Sequence, residues 1–119
     1  RLVDDIVRQA VPYFRDVIEY DAEAVAKQWK EPAVVRPLLA ATRETLAALA
    51  DWEPGAMEEA LRALAEAQGV GGGKIFQPLR VALTGLGVSP GIFDVMVTLG
   101  RERTLKRIAD AEAMLSTMG

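Results

Sequence analysis

The chain has 119 residues, half of them hydrophobic and about a quarter charged, which suits one folded domain. Cysteine and histidine are both absent, which excludes disulfides, thiolate or imidazole metal sites, and catalysis by a Cys or His nucleophile. No apolar run approaches the ~20 residues of a membrane-spanning helix, and we expect no signal peptide. We interpret the chain, which begins at Arg1, as a piece of a longer cytosolic protein.

Charge is distributed unevenly along the chain. The net charge is −3, which by itself argues against a nucleic-acid partner. Residues 1–69 carry 8 basic and 13 acidic side chains, whereas residues 70–119 carry 6 and 4. The C-terminal part is therefore the mildly basic one, and a phosphate backbone could lie there.

In the first half of the chain, residues 1–69, apolar residues recur at spacings of three and four, which indicates amphipathic helices. Asp21 is a candidate N-cap, and Gly69 supplies a C-terminal stop. We predict one helix over 1–14, with an end or bend at Pro12, and a second over 21–29. A third follows Pro32 and Pro37, which bracket its start, and a fourth lies between a turn at 51–55 and Gly69.

The second half, residues 74–119, follows a glycine-rich segment that we interpret as a flexible linker. The bulky apolar run after Lys74 could be taken for a strand. Pro78 argues against a central strand, and the apolar spacing is helical. We therefore predict a helix that ends at Gly85.

Two more helices complete the predicted fold. The first of them is predicted to start at Ser89 and Pro90, with Ser89 as N-cap and Pro90 at the first helical position. Its residues 92–99 are apolar almost all round, which predicts packing on both sides. Gly100 separates it from a final amphipathic helix. We predict an all-α domain of six or seven helices over residues 1–119.

No motif for nucleotide binding or catalysis is complete. A phosphate-binding P-loop needs a glycine where Gln68 stands, a Ser or Thr where Ile75 stands, and a preceding strand. The dinucleotide-binding fingerprint fails because Lys74 occupies the place of its third glycine. Acidic residues such as Glu58 and Glu59 look like solvated helix faces, so we predict no catalytic and no metal site.

One pair of polar residues could read nucleic-acid bases. Gln77 and Arg80 project from one side of their predicted helix, and an amide beside a guanidinium can bond unpaired base edges. The predicted helix start at 89–92 offers backbone N–H groups nearby. On the residues alone, a simply solvated pair remains the commoner alternative. The same alternative applies to a second basic cluster, the candidate phosphate contacts Arg103, Lys106 and Arg107.

Two segments carry a resemblance to a known family. GKIFQPLRVALTG and SPGIFDVMVTLGRERTLKRI are similar to the closing segment of bacterial-type glutamyl-tRNA synthetases. There, a PLR-x-ALTG helix precedes a Pro-containing turn, an apolar helix and a G-[KR]-E-R-x-L-x-R-[IL] terminal helix. IEYDAEAVAKQW also resembles that family's helical domain. The resemblance covers most of the chain and is most specific over residues 73–108.

The resemblance implies a C-terminal anticodon-binding domain, a cage of helices that grips the anticodon loop of tRNA(Glu). It divides the chain into a first helical half, 1–69, and an anticodon-reading half, 74–119. Ser89 stands where relatives carry Thr, which keeps the hydroxyl. Carried over residue by residue, the implied anticodon contacts are Gln77, Arg80, Ser89, Pro90 and Ile92.

The resemblance also implies what this domain lacks. The family's HIGH-like element and KMSKS-like loop do not occur in the chain, so ATP and Mg²⁺ would act in a separate catalytic domain and no cofactor is expected here. We expect a cytoplasmic monomer with tRNA(Glu) as partner, and neither DNA nor membrane binding. Two alternatives stay open: the similar cage of class I lysyl-tRNA synthetases, and a helical protein-interaction module.

Overall fold

The computed structural model describes residues 19–87 and 91–118. Within these ranges the chain forms helices and no strand, which confirms the predicted all-α class. The predicted helix over 1–14, with Pro12, lies outside the described residues. The six described helices are α1 (Ala22–Gln28), α2 (Pro32–Ala47), α3 (Pro54–Ala67), α4 (Gly73–Thr84), α5 (Ile92–Leu99) and α6 (Arg101–Met118).

The short helix α1 begins where its capping residue predicts. The Asp21 carboxylate accepts a hydrogen bond from the Ala24 N–H at 2.9 Å, which satisfies one of the unpaired donors of the first turn. Trp29 follows the last turn and is only 1% exposed. Its indole Nε1 donates to the Pro78 carbonyl oxygen at 3.2 Å, so this side chain ties the end of α1 to α4.

Helix α2 starts earlier than its two prolines predict. Pro32 opens the helix, whereas Pro37 lies inside it and does not precede it. A proline there removes one backbone hydrogen bond, and Pro37 faces solvent. Burial of the opposite side, including Leu39 and Leu46, outweighs that local cost because both side chains are fully enclosed.

Helix α3 ends in a hydrogen-bonded turn at Gly69. This glycine has a φ of +69°, its N–H donates to the Glu66 carbonyl oxygen, and the Val70 N–H donates to that of Ala65. The two bonds form a Schellman motif, which confirms Gly69 as the stop. The prediction that a flexible linker follows is wrong for its last residues, because Gly73 and Lys74 already belong to α4.

Helix α4 is the centre of the predicted binding half. The apolar stripe that includes Ile75, Leu79 and Leu83 is buried, and Pro78 lies inside the helix. Gly85 ends the helix with a φ of +76°, as predicted. Its carbonyl oxygen accepts a hydrogen bond from the Asp21 N–H at 2.8 Å, so the end of α4 also holds the residue that caps α1.

Helix α5 begins two residues later than predicted. Gly91 is its N-cap, and the Val95 N–H to Gly91 carbonyl bond, at 3.1 Å, is its first helical bond. The described helix thus starts at Ile92, whereas the predicted N-cap Ser89 and first helical residue Pro90 lie outside the described ranges. The prediction that this helix packs on both sides is wrong in part, since Val97 is 43% exposed.

Helix α6 closes the core. It packs most extensively along α2 and also contacts α4 and α5. Between α2 and α6, both the Nε and an Nη nitrogen of Arg43 donate to the Glu112 carboxylate. One continuous cluster of buried side chains includes residues from both predicted halves, from Ala24 to Leu115. None of the described helices is long and apolar enough to cross a membrane.

Candidate anticodon-binding site

A polar row follows one side of α4. Lys74, Gln77 and Arg80 are spaced by three residues, so their side chains are neighbours along the helix surface. Lys74 is exposed, whereas Gln77 and Arg80 are half-buried. Around the helix axis, Gln77 and Arg80 are rotated by about 100° or more from Ile75 and Leu79.

Within this row, Gln77 and Arg80 form a hydrogen-bonded pair. The Arg80 Nη1 atom donates to the Gln77 side-chain oxygen at 2.9 Å. This bond holds a guanidinium and an amide side by side, which is the arrangement that the spacing of three predicts. Because the amide uses its oxygen as acceptor here, its NH₂ group is oriented as a donor away from Arg80.

The backbone that follows the pair is ordered by Thr84. Its hydroxyl donates to the Arg80 carbonyl oxygen at 2.8 Å and accepts from the Leu86 N–H at 3.0 Å. These bonds connect the last turn of α4 to the segment that leads to residues 88–90. The predicted contacts Ser89 and Pro90, which come later in this segment, lie outside the described residues.

The structure places Ile92 differently from the other predicted contacts. Its side chain is only 3% exposed and belongs to the core. Of Ile92, whose side chain is buried, only the backbone can therefore make the predicted anticodon contact. The first-turn N–H groups of α5, which no side chain caps, are the part of this segment that can act as donors.

The basic cluster predicted on α6 does not form one surface. Arg103 is exposed, and Lys106, with 68% of its side chain exposed, pairs with Asp110 at 2.9 Å. Arg107 is only 5% exposed, and its Nη1 donates to the Leu83 carbonyl oxygen at 2.6 Å. The expectation of a phosphate contact by Arg107 is therefore corrected to a structural role, since it lies on the buried side of α6 next to Ile108.

We expect Arg107→Ala to lower the free energy of unfolding by about 2 kcal/mol, because it removes a buried, charge-assisted hydrogen bond to α4. Arg103→Ala, one helical turn earlier and exposed, should change it by less than ~0.5 kcal/mol. Urea unfolding followed by circular dichroism measures both values. Equal stability of the two variants would contradict a structural role for Arg107.

Arg101, which sequence reasoning did not single out, positions α5 and α6 together with Trp52. The Arg101 guanidinium donates to the Leu49 carbonyl oxygen at 2.7 Å and lies 5.3 Å from the centre of the Trp52 ring. The Trp52 indole donates to the Met96 carbonyl oxygen at 2.9 Å. These contacts join the turn between α2 and α3 to the junction of α5 and α6. No periodicity signals them, because the partners are distant in sequence.

Tyr20 packs into the interior beside Trp29, with ring centres 5.3 Å apart. Burial, followed by the nearby Asp110 carboxylate, raises the pKa of the Tyr20 hydroxyl, while Arg107 opposes the shift. Tyr20 therefore remains an uncharged phenol at neutral pH and serves the packing of the segment before α1.

Comparison with known proteins identifies the family of the chain. The family model described as the anticodon binding domain matches residues 1–112, and the chain therefore belongs to the anticodon-binding domain family. The glutamate–tRNA ligase of Stenotrophomonas maltophilia is 42% identical over 113 residues, which are 95% of this chain and 24% of that protein. That of Roseiflexus castenholzii is 39% identical over 104 residues, 87% of this chain and 20% of the relative.

A solved structure shows the same fold. The glutamate tRNA ligase from Elizabethkingia meningosepticum, crystallised in complex with its amino acid, matches with a TM-score of 0.85 and 32% identity. The match covers 95% of this chain and 22% of that chain. The resemblance to glutamyl-tRNA synthetases is thus confirmed and is favoured over the lysyl alternative. The chain spans about a quarter or less of the length of these relatives.

Proposed function

We propose that this chain is the part of a glutamate–tRNA ligase that recognises the anticodon loop of tRNA(Glu). The hydrogen-bonded pair of Gln77 and Arg80 carries the proposal. It stands on the half-buried side of a helix in a domain of the anticodon-binding family. Attachment of glutamate, with ATP and Mg²⁺, belongs in the proposal to the remainder of the enzyme, which acts as a monomer in the cytoplasm.

The chemistry of the pair suits unpaired bases. Single-stranded loops expose the hydrogen-bonding edges of their bases, which side chains with donors and acceptors can read. A guanidinium supplies a planar set of N–H donors, and the Gln77 amide adds two more. The bond between the two side chains limits their rotation, so less conformational entropy is lost when a base binds.

The segment after α4 completes the proposed site. Ser89 and Pro90 would contact the anticodon from the turn before α5, and the backbone at Ile92 would donate from the first turn of that helix. Arg103 is retained as a candidate phosphate contact because it is exposed. Lys106 is exposed as well, but it is already paired with Asp110. Bases would then be read by α4 and the turn, and phosphate contacts would add affinity without sequence preference.

We expect Arg80→Ala to weaken binding of tRNA(Glu) by ~1–3 kcal/mol, the range for a good side-chain contact to a base edge. Arg80→Lys should not restore binding, since an ammonium lacks the planar set of donors. Gln77→Ala should weaken binding as well, and the double variant should lose less than the sum of the two, because the side chains act as one unit.

The measurement is a titration of each variant with tRNA(Glu) and with the same tRNA carrying an unrelated anticodon, alongside thermal melts. Arg36→Ala, an exposed arginine on α2, serves as the control and should bind like the parent. The recognition role is refuted if Arg80→Ala binds tRNA(Glu) as tightly as the parent. It is also refuted if the entire loss follows a lower melting temperature.

A further inference from the structure

Three of the four lysines in the chain line a single groove. Lys27 belongs to α1, Lys30 to the turn after it, and Lys74 to the first turn of α4. The groove has a volume of about 260 Å³ and lies between α1, the start of α2 and the start of α4. Folding thus brings Lys74 to the same place as two lysines more than forty residues earlier in the sequence.

Among the residues that line this lysine groove, positive charges outnumber negative ones. Glu31 is the single acidic residue among the described residues that line it. No described carboxylate lies within ion-pair distance of Lys27, Lys30 or Lys74, in contrast to Lys106 with its partner Asp110 at 2.9 Å. The groove is therefore a local excess of positive charge on a protein whose net charge is −3.

The two ends of the groove have different surroundings. A neighbouring hollow at the Lys27 end is lined by the acidic residues Asp21 and Glu23, which repel an anion. At the other end, Lys74 continues into the row formed by Gln77 and Arg80 on α4. Three residues of helix rise about 4.5 Å, so Lys74 lies roughly one helical turn from Gln77 and roughly two from Arg80.

We infer that the lysine groove binds phosphate groups of an RNA backbone, next to the bases that Gln77 and Arg80 read. The inference rests on the proposed function. Lysine ammonium groups are flexible point charges, which suit phosphates of any sequence and give no base selectivity. The three lysines come from separate elements around the groove, so a strand that follows the groove would meet more than one of them.

The test is a triple variant, Lys27→Gln, Lys30→Gln and Lys74→Gln, in the 119-residue chain. Glutamine keeps a long side chain with a similar helix propensity, so the fold should persist, as checked by circular dichroism and thermal melting. Binding of tRNA(Glu) and of the anticodon-substituted tRNA is titrated at several salt concentrations. Lys106→Gln is the matched control, because that lysine is exposed but already paired with Asp110.

We expect the triple variant to lose affinity for both tRNAs by a similar factor, on the order of tenfold at low salt. The slope of log K against log salt should become shallower by about 2, because fewer phosphate contacts form and fewer counterions are released on binding. The ratio between the two tRNAs should stay that of the parent. Lys106→Gln should change neither affinity nor slope measurably.

The outcomes separate this inference from the proposed function. If the parent discriminates between the two tRNAs while the triple variant keeps its affinity and salt slope, the groove is refuted and the proposed function stands. If the parent does not discriminate, the proposed function fails, whereas a shallower slope in the triple variant still supports an RNA-binding groove. A triple variant that loses affinity for polyglutamate but not for tRNA would overturn the inference in favour of an acidic peptide.

Discussion

Replacing Gly85 by alanine is expected to destabilise the fold by about 3 kcal/mol. Its φ of +76° costs an alanine on the order of 1 kcal/mol. An added Cβ would also lie 2.1 Å from the backbone oxygen of Glu19, far inside van der Waals contact. The segment before α1 would have to move away, which breaks the bond from the Asp21 N–H to the Gly85 carbonyl and adds the remaining cost.

Gly69→Ala is the matched control for this change. Gly69 has a similar φ of +69°, but an added Cβ would meet nothing within 4 Å. It should therefore show the backbone cost alone, about 1 kcal/mol. Urea unfolding followed by far-UV circular dichroism gives both values. If the two substitutions destabilise the chain equally, the close approach of residues 19–21 to Gly85 is not a feature of the folded protein.

The second large effect is expected for Trp29→Ala, which should lower the free energy of unfolding by ~3–5 kcal/mol. The indole is almost completely buried and packs against Tyr20, so its removal leaves a cavity between α1 and α4. The Pro78 carbonyl oxygen also loses its indole donor. Trp29→Phe retains most of the apolar contact and should cost about 1–2 kcal/mol.

Val34→Ala tests the specificity of the Trp29 effect. Val34 is an apolar residue too, but it is exposed on α2, so its truncation should change the unfolding free energy by less than ~0.5 kcal/mol. Guanidinium denaturation of the three variants and the parent provides the comparison. A loss for Trp29→Ala no greater than that for Trp29→Phe would show that the core does not depend on the volume of this side chain.

Local signals predicted most of the helices and their ends. The caps at Asp21, Gly69 and Gly85 depend on residues within one turn of the helix end, so the sequence contains the information directly. The pairing of Gln77 with Arg80 is equally local, because both stand on one helix three residues apart. These features agree with the structure because no distant contact is needed to produce them.

Features that depend on distant contacts were missed or misplaced. Arg107 looks like a member of a surface cluster until the carbonyl of Leu83 is known to lie against it. Ile108 is buried, and the arginine next to it in the sequence shares that side of α6. The lysine groove likewise joins Lys74 to lysines of α1 and the following turn, a juxtaposition that spacing along the chain does not reveal.

The packing of α6 along α2 has a consequence for synthesis of the protein. The two helices are separated in the sequence by three others, so their contacts join residues far apart along the chain. Such contacts can form only after the intervening chain has left the ribosome, and they slow folding because a long loop must close first. Until α6 emerges, α2 lacks its main partner, and part of its apolar surface stays available to chaperones.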